Sequence, residues 1–279
     1  MTPDTDPPWR RLRLSYPSVT MNLAAEEAIA RGLASGVQTQ PTVRLWTNPK
    51  SAIVGRFQEV AAEVDLDECK LNKVEIARRF TGGGTVFHDE NTLNLTLVAK
   101  PKESRLDMTF QDENIRLVNN TLNDLGASCT VEGNAILFNN RKVCGTAAAV
   151  SSGFLLWHCS ILVDTDTHLL ELVLAPSRLR TKSRYVRSRW REVTNIATAL
   201  GRLVNVEELA SRLEENFAKR ANLEAGELTA EEGKHLEQLY TQKYSLRDWN
   251  INGNYDLPQR LRAEGSHNDC RMCPLNTLD

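Results

Sequence analysis

Apolar residues along this chain recur with two different periods, and each period predicts a different kind of element. In residues 21–34 and 112–125 they recur every three to four positions, which is typical of amphipathic helices. In residues 92–98 three leucines alternate with Asn94 and Thr96, as in a strand with one face in the core. We therefore expect Asn94 and Thr96, on the opposite face, either to line a ligand site or to meet water.

Short apolar runs separated by turn residues predict three β-hairpins. The predicted pairs are 43–46 with 52–56 around Thr47-Asn48-Pro49-Lys50, 85–88 with 92–98 around Asp89-Glu90-Asn91, and 135–138 with 141–146 around Asn139-Asn140. A strand at 154–163 and helices at 168–175, 206–222 and 230–244 complete the predicted elements. Because hairpins are interleaved with helices, without regular strand–helix alternation, the pattern favours an α+β fold with mixed β-sheets packed with helices.

The pattern also predicts the domain organisation. Elements continue to about residue 250 without an internal repeat or a low-complexity linker, whereas the chain from Gly253 onward is polar and has no apolar period. We therefore expect one folded domain over residues 1–250 and a polar tail over residues 251–279.

Composition and charge exclude several classes of protein. The 279 residues are 41% hydrophobic and 25% charged, which excludes a disordered or fibrous chain. Because 34 basic residues face 36 acidic ones, no overall charge attracts the chain to nucleic acid or to an anionic membrane. The longest apolar run, residues 154–163, is too short to span a bilayer, and the first eight residues lack the apolar core of a secretory signal. We expect a cytoplasmic monomer with reduced thiols that binds neither nucleic acid nor membranes.

The stretch from Arg78 to Asp89 carries the strongest chemical signal. It reads Arg78-Arg79-Phe80-Thr81-Gly82-Gly83-Gly84-Thr85-Val86-Phe87-His88-Asp89. Three consecutive glycines before a strand let the backbone approach a ligand closely, and their amides can line an anion or an acyl group beside the positive arginines. The glycines alone would equally fit a flexible turn, but the whole stretch indicates a phosphate or adenylate site.

Lys142 is the candidate for electrostatic catalysis. It comes just after the predicted Asn139-Asn140 turn, where its ammonium group could neutralise charge that develops on a phosphate or acyl oxygen. An isolated lysine in this position would otherwise be a solvated surface charge.

Taken in order, these motifs resemble the large domain of lipoate-protein ligases and lipoyltransferases, which share a fold with biotin-protein ligases. That family's Arg-Arg-x-x-Gly-Gly-Gly-x-Val-x-His-Asp signature is matched at every fixed position from Arg78 to Asp89. The other similar segments are 141–147, where Cys144 replaces the family's small residue, 158–162, the adenylate-covering loop 186–189 with 193–195, and the closing helix with Trp-Asn at 244–250. The resemblance covers roughly residues 10 to 250.

The resemblance implies a single lipoate/biotin-ligase-like catalytic domain without the accessory domain that many of these ligases carry. It implies activation of lipoate by ATP, with Mg2+, to lipoyl-AMP and transfer to a specific lysine of a lipoyl-carrier domain. Lys142 would be the catalytic residue, contacting the acyl carbonyl and the adenylate phosphate. The implied lipoyl- and adenylate-binding residues are Arg79, Thr81, Gly82, Gly83, Gly84, Val86, His88, Asn94, Asn134, Gly145, Thr146, Ala147, His158 and Arg187. His88 and His158 could equally be buried structural histidines.

The chain departs from the family pattern just before the predicted hairpin of residues 135–146, which carries Lys142. Ligases of the family commonly carry Asn-Asp there, the acid helping to hold magnesium, whereas this chain has Asn134-Ala135. Glu132 or Asp89 could supply the missing carboxylate, so no metal ligand is assigned.

Cys129 supports a rival hypothesis. Related octanoyltransferases use a cysteine in this neighbourhood as an acyl-thioester nucleophile, and Cys129 lies six residues before Ala135. The chain could then be an ATP-independent octanoyl or lipoyl transferase, while an inert cysteine at the end of a helix is the alternative. A non-catalytic lipoate-binding protein is a third hypothesis, supported only by Ala135.

Two further segments have more than one possible interpretation. Residues 178–191 hold seven lysines or arginines and no acid, which would suit nucleic acid in isolation, but the resemblance indicates a mobile loop over the nucleotide that could also touch an acidic acceptor domain. His267, Cys270 and Cys273 could be half of a zinc site, a redox-labile pair or a shared intermolecular site. The 29 residues after Asn250 are too few for an accessory domain, so a separate partner chain supplies it or the enzyme works without it.

Overall fold

The structure is a computed structural model that describes residues 7–101, 108–151, 153–178 and 185–253. The predicted tail beyond Gly253, with His267, Cys270 and Cys273, lies outside the described residues, as does the middle of the basic stretch.

Eleven strands and eight α-helices are present in the described residues. The strands are β1 (Trp9–Arg13), β2 (Thr42–Trp46), β3 (Ser51–Val54), β4 (Glu75–Arg78), β5 (Val86–His88), β6 (Thr92–Ala99), β7 (Thr130–Glu132), β8 (Ala135–Phe138), β9 (Arg141–Ser151), β10 (Phe154–Leu162) and β11 (Leu223–Ala225). The helices are α1 (Val19–Ser35), α2 (Val60–Glu63), α3 (Leu66–Leu71), α4 (Met108–Asp124), α5 (Thr167–Val173), α6 (Ile196–Leu200), α7 (Val206–Ala218) and α8 (Ala230–Leu239). A 3₁₀ turn (Ala175–Arg178) follows α5, and two π-helical turns, Tyr240–Tyr244 and Asp248–Asn252, follow α8.

The strands form two mixed sheets. The large sheet has eight strands in the order β11-β1-β2-β6-β10-β9-β8-β7, and the small sheet has three in the order β4-β3-β5. Helices α4 and α7 pack against one face of the large sheet, and α1 contacts β6 and β10 of the large sheet as well as β4 of the small one. The predicted α+β class, with mixed sheets packed with helices, is confirmed.

Two of the three predicted hairpins are wrong. Strand β2 pairs with β1 and β6 in the large sheet, whereas β3 pairs with β4 and β5 in the small one, and β5 and β6 are separated in the same way. The physical reason is that both intervening turns are anchored inside the protein. Asn48 is 1% exposed and bonds to Asn22 and His88, and Asp89 is 3% exposed and accepts from the Asp166 amide. Each turn therefore carries the chain from one sheet to the other.

The third hairpin is confirmed, because its turn is specified by the residues within it. Asn139 and Asn140 have φ values of 48° and 62°, as a two-residue turn with both central residues left-handed requires, and β8 pairs with β9 around them. The capping box that opens α8 is also present, with Thr229 and Glu232 bonded reciprocally. Strand β6 faces the core with its leucines as expected.

Arg78 holds the end of the described chain against the small sheet. Its guanidinium donates to the carbonyl oxygens of Trp249, Gly55 and Gln58 at 2.9, 2.9 and 2.7 Å, and Trp249 Nε1 donates back to the Arg78 carbonyl. The first arginine of the signature therefore has a structural role, because it binds the closing helix to the small sheet. No helix of the described residues is both long enough and apolar enough to cross a membrane.

Candidate functional site

The glycine-rich loop, residues 82–84, joins β4 to β5 where the small sheet faces the large one. Arg79 holds this loop by hydrogen bonds. Its Nη2 donates to the carbonyl oxygens of Gly82 at 2.6 Å and Gly84 at 2.8 Å, and its Nη1 donates to Ile53 O. Burial lowers the pKa of Arg79 to about 10, so the side chain remains a cation at neutral pH. Arg79 therefore fixes the loop through the carbonyl oxygens of its first and last glycines and ties it to β3 through Ile53.

Three glycines, Gly55, Gly83 and Gly84, permit a very close approach of chain segments. Gly83 has a φ of 89°, and a methyl group added to Gly55 would overlap the Gly83 carbonyl oxygen. Gly84 lies under Ser188, whose hydroxyl oxygen would be 2.9 Å from an added methyl. The glycines are therefore required by packing between segments as well as by any ligand.

A chain of buried hydrogen bonds runs beneath the loop. Arg79 Nε donates to Thr81 Oγ1 at 3.0 Å, Thr81 Oγ1 lies 3.1 Å from His158 Nε2, and His158 Nδ1 lies 2.9 Å from Glu26 Oε1. Thr96 also donates to Glu26, at 2.6 Å. Burial alone would raise the pKa of Glu26, but His158, Thr96 and Arg44 together lower it, so Glu26 is an anion that anchors the chain.

His88 belongs to a second buried chain. Asn48 Nδ2 lies 3.0 Å from His88 Nδ1, His88 Nε2 lies 2.8 Å from Ser160 Oγ, and Ser160 donates to Asn94 Oδ1 at 2.7 Å. Because Asn48 Oδ1 already accepts from Asn22, Asn48 Nδ2 donates to His88 Nδ1. The proton of the neutral His88 ring is therefore on Nε2. Asn94 is 1% exposed, and its Nδ2 has no hydrogen-bond partner among the described residues.

The burial of His88 predicts a pH-dependent stability. Burial, with the charge of Arg79, lowers its pKa from 6.5 to about 3. The folded-state pKa lies below the unfolded one, so the unfolded chain takes up a proton below pH 6.5 and stability is lost progressively as the pH falls toward 3. Because His88 is protonated only in the unfolded chain over this range, the free energy of unfolding should fall by about 2 kcal/mol between pH 7 and pH 5. Urea titrations at the two pH values measure this change. His88→Gln should lose this part of the pH dependence, and exposed His168→Gln should keep it; equal slopes in all three proteins would contradict the assignment.

Lys142 lies at the start of β9 and is half-buried. Its amide donates to Glu192 O at 2.7 Å, and its carbonyl accepts from Thr194 N at 3.0 Å, so the backbone of the 192–194 segment runs beside it. The side chain folds over Gly145, where an added methyl would lie 2.6 Å from its Cε. Burial lowers the pKa of Lys142, and the nearby charges of Arg79 and Arg191 act in the same direction.

A cleft lies between residues 85–87, which follow the glycine-rich loop, the start of β9 and residues 188–193. Of the predicted site residues, Val86, Lys142 and Gly145 line it. The other lining residues are Thr85, Phe87, Cys144, Ser160, Leu162, Leu170, Leu174, Ser188, Arg189, Trp190, Arg191 and Val193. Ser160 and Arg189 are not among the site residues predicted from the sequence. The signal for Ser160 was its position two residues after His158 on one strand, and the signal for Arg189 was the basic stretch itself.

The remaining predicted residues do not line this cleft. Asn134 is exposed and its carbonyl accepts from the amide and hydroxyl of Thr146, while Ala147 Cβ would lie 3.5 Å from a methyl on Gly83. Arg187 does not line the cleft; its Nε lies 2.9 Å from Glu63 Oε1. Asn94 and Thr96 do not meet bulk water, because both are 1% exposed.

Cys129, the candidate nucleophile, is buried in the core beneath β8 and β9. It is 4% exposed, its Sγ lies 3.7 Å from Ala127 O, and burial raises the pKa of its thiol to about 11. A thiol with this pKa carries very little thiolate at neutral pH.

The two carboxylates considered for magnesium are already engaged. Asp89 accepts from the amides of Asn91 and Asp166 and from the Thr92 hydroxyl, and Glu132 pairs with Arg191. Among the described residues, no three acidic, histidine or cysteine side chains come together as a metal site.

The chain is similar to known proteins over most of its length. The model of the lipoyl protein ligase A/B catalytic domain matches residues 18–218. Lipoate-protein ligase A subunit 1 of Thermoplasma acidophilum is 31% identical over 256 residues, covering 87% of this chain and 96% of the relative. Octanoyltransferase LipM of Clostridioides difficile is 27% identical over 267 residues, covering 87% of this chain and 98% of the relative.

Solved structures agree with this similarity. A Thermoplasma acidophilum protein with bound lipoic acid has a TM-score of 0.76 at 29% identity, covering 88% of this chain and 100% of that one. A lipoate-protein ligase A bound with ATP has a TM-score of 0.76 at 29% identity, covering 89% and 100%. A structure of a bipartite lipoate protein ligase and its E2 lipoyl domain, from the same archaeon, has a TM-score of 0.77 at 29% identity, covering 90% and 98%.

These matches confirm the resemblance that the signature motifs carried, as well as the fold inferred from it. The family model spans the glycine-rich loop, the β8–β9 hairpin with Lys142 and residues 186–194, which enter the cleft. The chain belongs to the lipoyl protein ligase A/B catalytic domain family.

Proposed function

We propose that this chain is a lipoate-protein ligase, which activates lipoate with ATP to lipoyl-AMP and transfers the lipoyl group to a specific lysine of a lipoyl-carrier domain. The observation that carries the proposal is the charge of the cleft. Lys142, Arg189 and Arg191 line it, and no carboxylate is among its described lining residues; Arg191 is paired with Glu132, so Lys142 and Arg189 carry most of the positive charge. Such a cleft attracts a polyanion such as a nucleotide triphosphate.

The rest of the cleft suits the other half of an acyl-adenylate. Leu162, Leu170, Leu174 and Val193 contribute apolar lining beside the cations. An apolar chain or base and a phosphate can therefore be bound side by side. Relatives solved with lipoic acid and with ATP support this assignment of ligands.

The geometry suits catalysis by electrostatic stabilisation. In the first step the lipoate carboxylate oxygen attacks the α-phosphorus of ATP, the bond to pyrophosphate breaks, and pyrophosphate leaves. The Lys142 ammonium, held over Gly145, would neutralise negative charge that builds on the phosphate oxygens. In the second step the amine of the acceptor lysine attacks the acyl carbon, the bond to AMP breaks, and the amine gives up a proton as the amide forms.

Magnesium was expected together with ATP. Ala135 supplies no carboxylate, and Asp89 and Glu132 are occupied by the contacts described above. These residues do not fit a protein-held magnesium site.

The similarity to octanoyltransferase LipM supports a second candidate, an ATP-independent transferase with a cysteine nucleophile. The surroundings of Cys129 oppose it in this chain, because the thiol is buried in the core, where its pKa is about 11. A nucleophilic cysteine is normally held in an electropositive, partly exposed position that favours the thiolate.

Intact-mass analysis of a lipoyl domain incubated with the protein separates the hypotheses. With free lipoate, we expect a mass gain of one lipoyl group that requires ATP and magnesium. The Cys129→Ala variant should retain this activity, because the thiol lies outside the cleft, and Cys159→Ala provides a matched buried cysteine. Modification only from an octanoyl-carrier donor, without ATP and lost in Cys129→Ala, would establish the transferase instead. No modification from either donor, together with lipoate binding, would indicate a non-catalytic protein.

The proposed partners are a lipoyl-domain acceptor and a separate accessory chain. The bipartite ligase with its E2 lipoyl domain supports both. The same mass assay tests the accessory chain, because a requirement for it would leave the protein inactive until that chain is added.

A further inference from the structure

The cleft-lining segment, residues 186–194, is attached to the protein at both ends. At its start Val186 N donates to Phe57 O at 3.2 Å, and at its end Thr194 N donates to Lys142 O at 3.0 Å. Between these attachments Arg189, Trp190 and Arg191 line the cleft. The position of these side chains therefore depends on how the segment is held.

Glu63, the last residue of α2, holds the first half of the segment. Its side chain is 0% exposed, its Oε1 lies 2.9 Å from Arg187 Nε, and the same oxygen accepts from Ser188 N at 3.2 Å. Arg187 also donates to Pro176 O at 3.1 Å. One carboxylate oxygen thus binds two consecutive residues of the segment and turns the Arg187 charge toward α2.

The other carboxylate oxygen of Glu63 indicates that Glu63 serves to hold the cleft-lining segment and not to stabilise the fold. Glu63 Oε2 is buried and has no hydrogen-bond partner among the described residues. A buried carboxylate with an unsatisfied oxygen is costly to the fold. Among the described residues, the polar contacts of this carboxylate are with Arg187 and Ser188 of the cleft-lining segment.

Ser188 provides a second attachment beside the first. Its hydroxyl oxygen accepts from Thr85 N at 2.9 Å and from Gln58 Nε2 at 3.0 Å. Because Thr85 directly follows the glycine-rich loop, Ser188 ties the segment to that loop. Glu63 and Gln58 together fix the segment at the point where it enters the cleft.

We propose that Glu63 is a positioning residue, which holds Arg187 outside the cleft and so places Arg189 in the lining of the cleft that contains Lys142, for binding the nucleotide phosphates. This rests on the proposed function for the identity of the ligand. The contact of Glu63 with Arg187 and Ser188 carries the inference, and Arg189 replaces Arg187 as the phosphate-binding arginine of the segment.

Steady-state pyrophosphate release and limited trypsin cleavage of the full-length protein test this role. In Glu63→Gln the segment should be held less often, so the fraction of protein competent for ATP falls and KM for ATP rises about tenfold, with kcat changed less than twofold. Trypsin cleavage after Arg187, Arg189 and Arg191, located by mass spectrometry, should accelerate by a similar factor. Glu59→Gln, an exposed neighbour, is the matched control and should change neither quantity.

Arg187→Gln removes the same contact from the other side. If the pair acts as a unit, the double variant Glu63→Gln/Arg187→Gln should have the same KM for ATP as either single variant. An Arg189→Gln variant should raise KM for ATP without accelerating cleavage at Arg187, because it leaves the attachment intact. A merely structural role for Glu63 would lower the thermal midpoint and the active fraction while leaving KM and the cleavage rate of the folded protein unchanged, and that result would overturn the proposal.

Pyrophosphate release and trypsin cleavage together also distinguish a failure of this proposal from a failure of the proposed function. If the wild-type protein releases no pyrophosphate, the ligase assignment fails, but the trypsin rates still test whether Glu63 holds the segment. If pyrophosphate is released normally and Glu63→Gln moves neither KM nor cleavage, only the positioning role fails.

Discussion

Replacing Lys142 with alanine is expected to reduce the rate of lipoyl-adenylate formation by about 10²- to 10³-fold, which is the usual effect of removing one preorganised electrostatic group from a site. The ammonium is held over Gly145 in a cleft whose lining also includes Arg189 and Arg191. The variant should fold normally, because the structural contacts of Lys142 are made by its backbone, which bonds to Glu192 and Thr194. Pyrophosphate release in the presence of lipoate and ATP measures the effect.

Two further variants make this prediction specific. Gly145→Ala keeps the lysine but puts a methyl group where its Cε lies, so the ammonium must move and the rate should fall to an intermediate value. Arg141→Ala removes an exposed cation one residue away and should leave the rate within twofold of wild type. Wild-type pyrophosphate release from Lys142→Ala would refute the catalytic assignment.

Replacing Gly55 with alanine is expected to cost about 3 kcal/mol of unfolding free energy and most of the activity. An added methyl would overlap the carbonyl oxygen of Gly83, and backbone cannot move aside as a flexible side chain can. The neighbouring contacts allow little relaxation, because Arg78 binds Gly55 O at 2.9 Å and Arg79 binds the carbonyls on both sides of Gly83. Any movement therefore displaces the glycine-rich loop and, with it, Thr85 and Val86, which line the cleft.

Urea unfolding and pyrophosphate release on the same samples test this prediction. The matched control is Gly233→Ala in α8, where an added methyl meets no atom within 4 Å and the helix should gain about 1 kcal/mol from the better helix former. A Gly55→Ala protein with wild-type stability would show that the two loops can separate without cost, and would remove the packing reason for glycine at this position.

Local features of the fold could be predicted because the residues that specify them are close together in the chain. Asn139 and Asn140 tolerate the left-handed conformation that their hairpin needs, and Thr229 with Glu232 forms a capping box within one helical turn. The leucines of β6 face the core because their period is that of a strand. The signature from Arg78 to Asp89 likewise identified the family before any geometry was available.

Partners that are distant in sequence could not be predicted in this way. The turn at 47–50 carries the signals of a hairpin, yet it connects two sheets, because Asn48 is bound by Asn22 and His88 rather than exposed. The pattern around Cys129 suits a reactive loop, and only the packing of β8 and β9 over it shows a buried thiol.

The candidate site divides in the same way. The sequence by itself determined which chemical groups are present: a glycine-rich loop beside two arginines, a lysine after a tight turn, and a basic segment without acids. Only the tertiary structure decided what each cation does, since Arg78 holds the closing helix, Arg79 binds the loop carbonyls, and Arg187 pairs with Glu63. The physical reason is that a guanidinium takes its role from the acceptors around it, and here those acceptors come from segments far away along the chain.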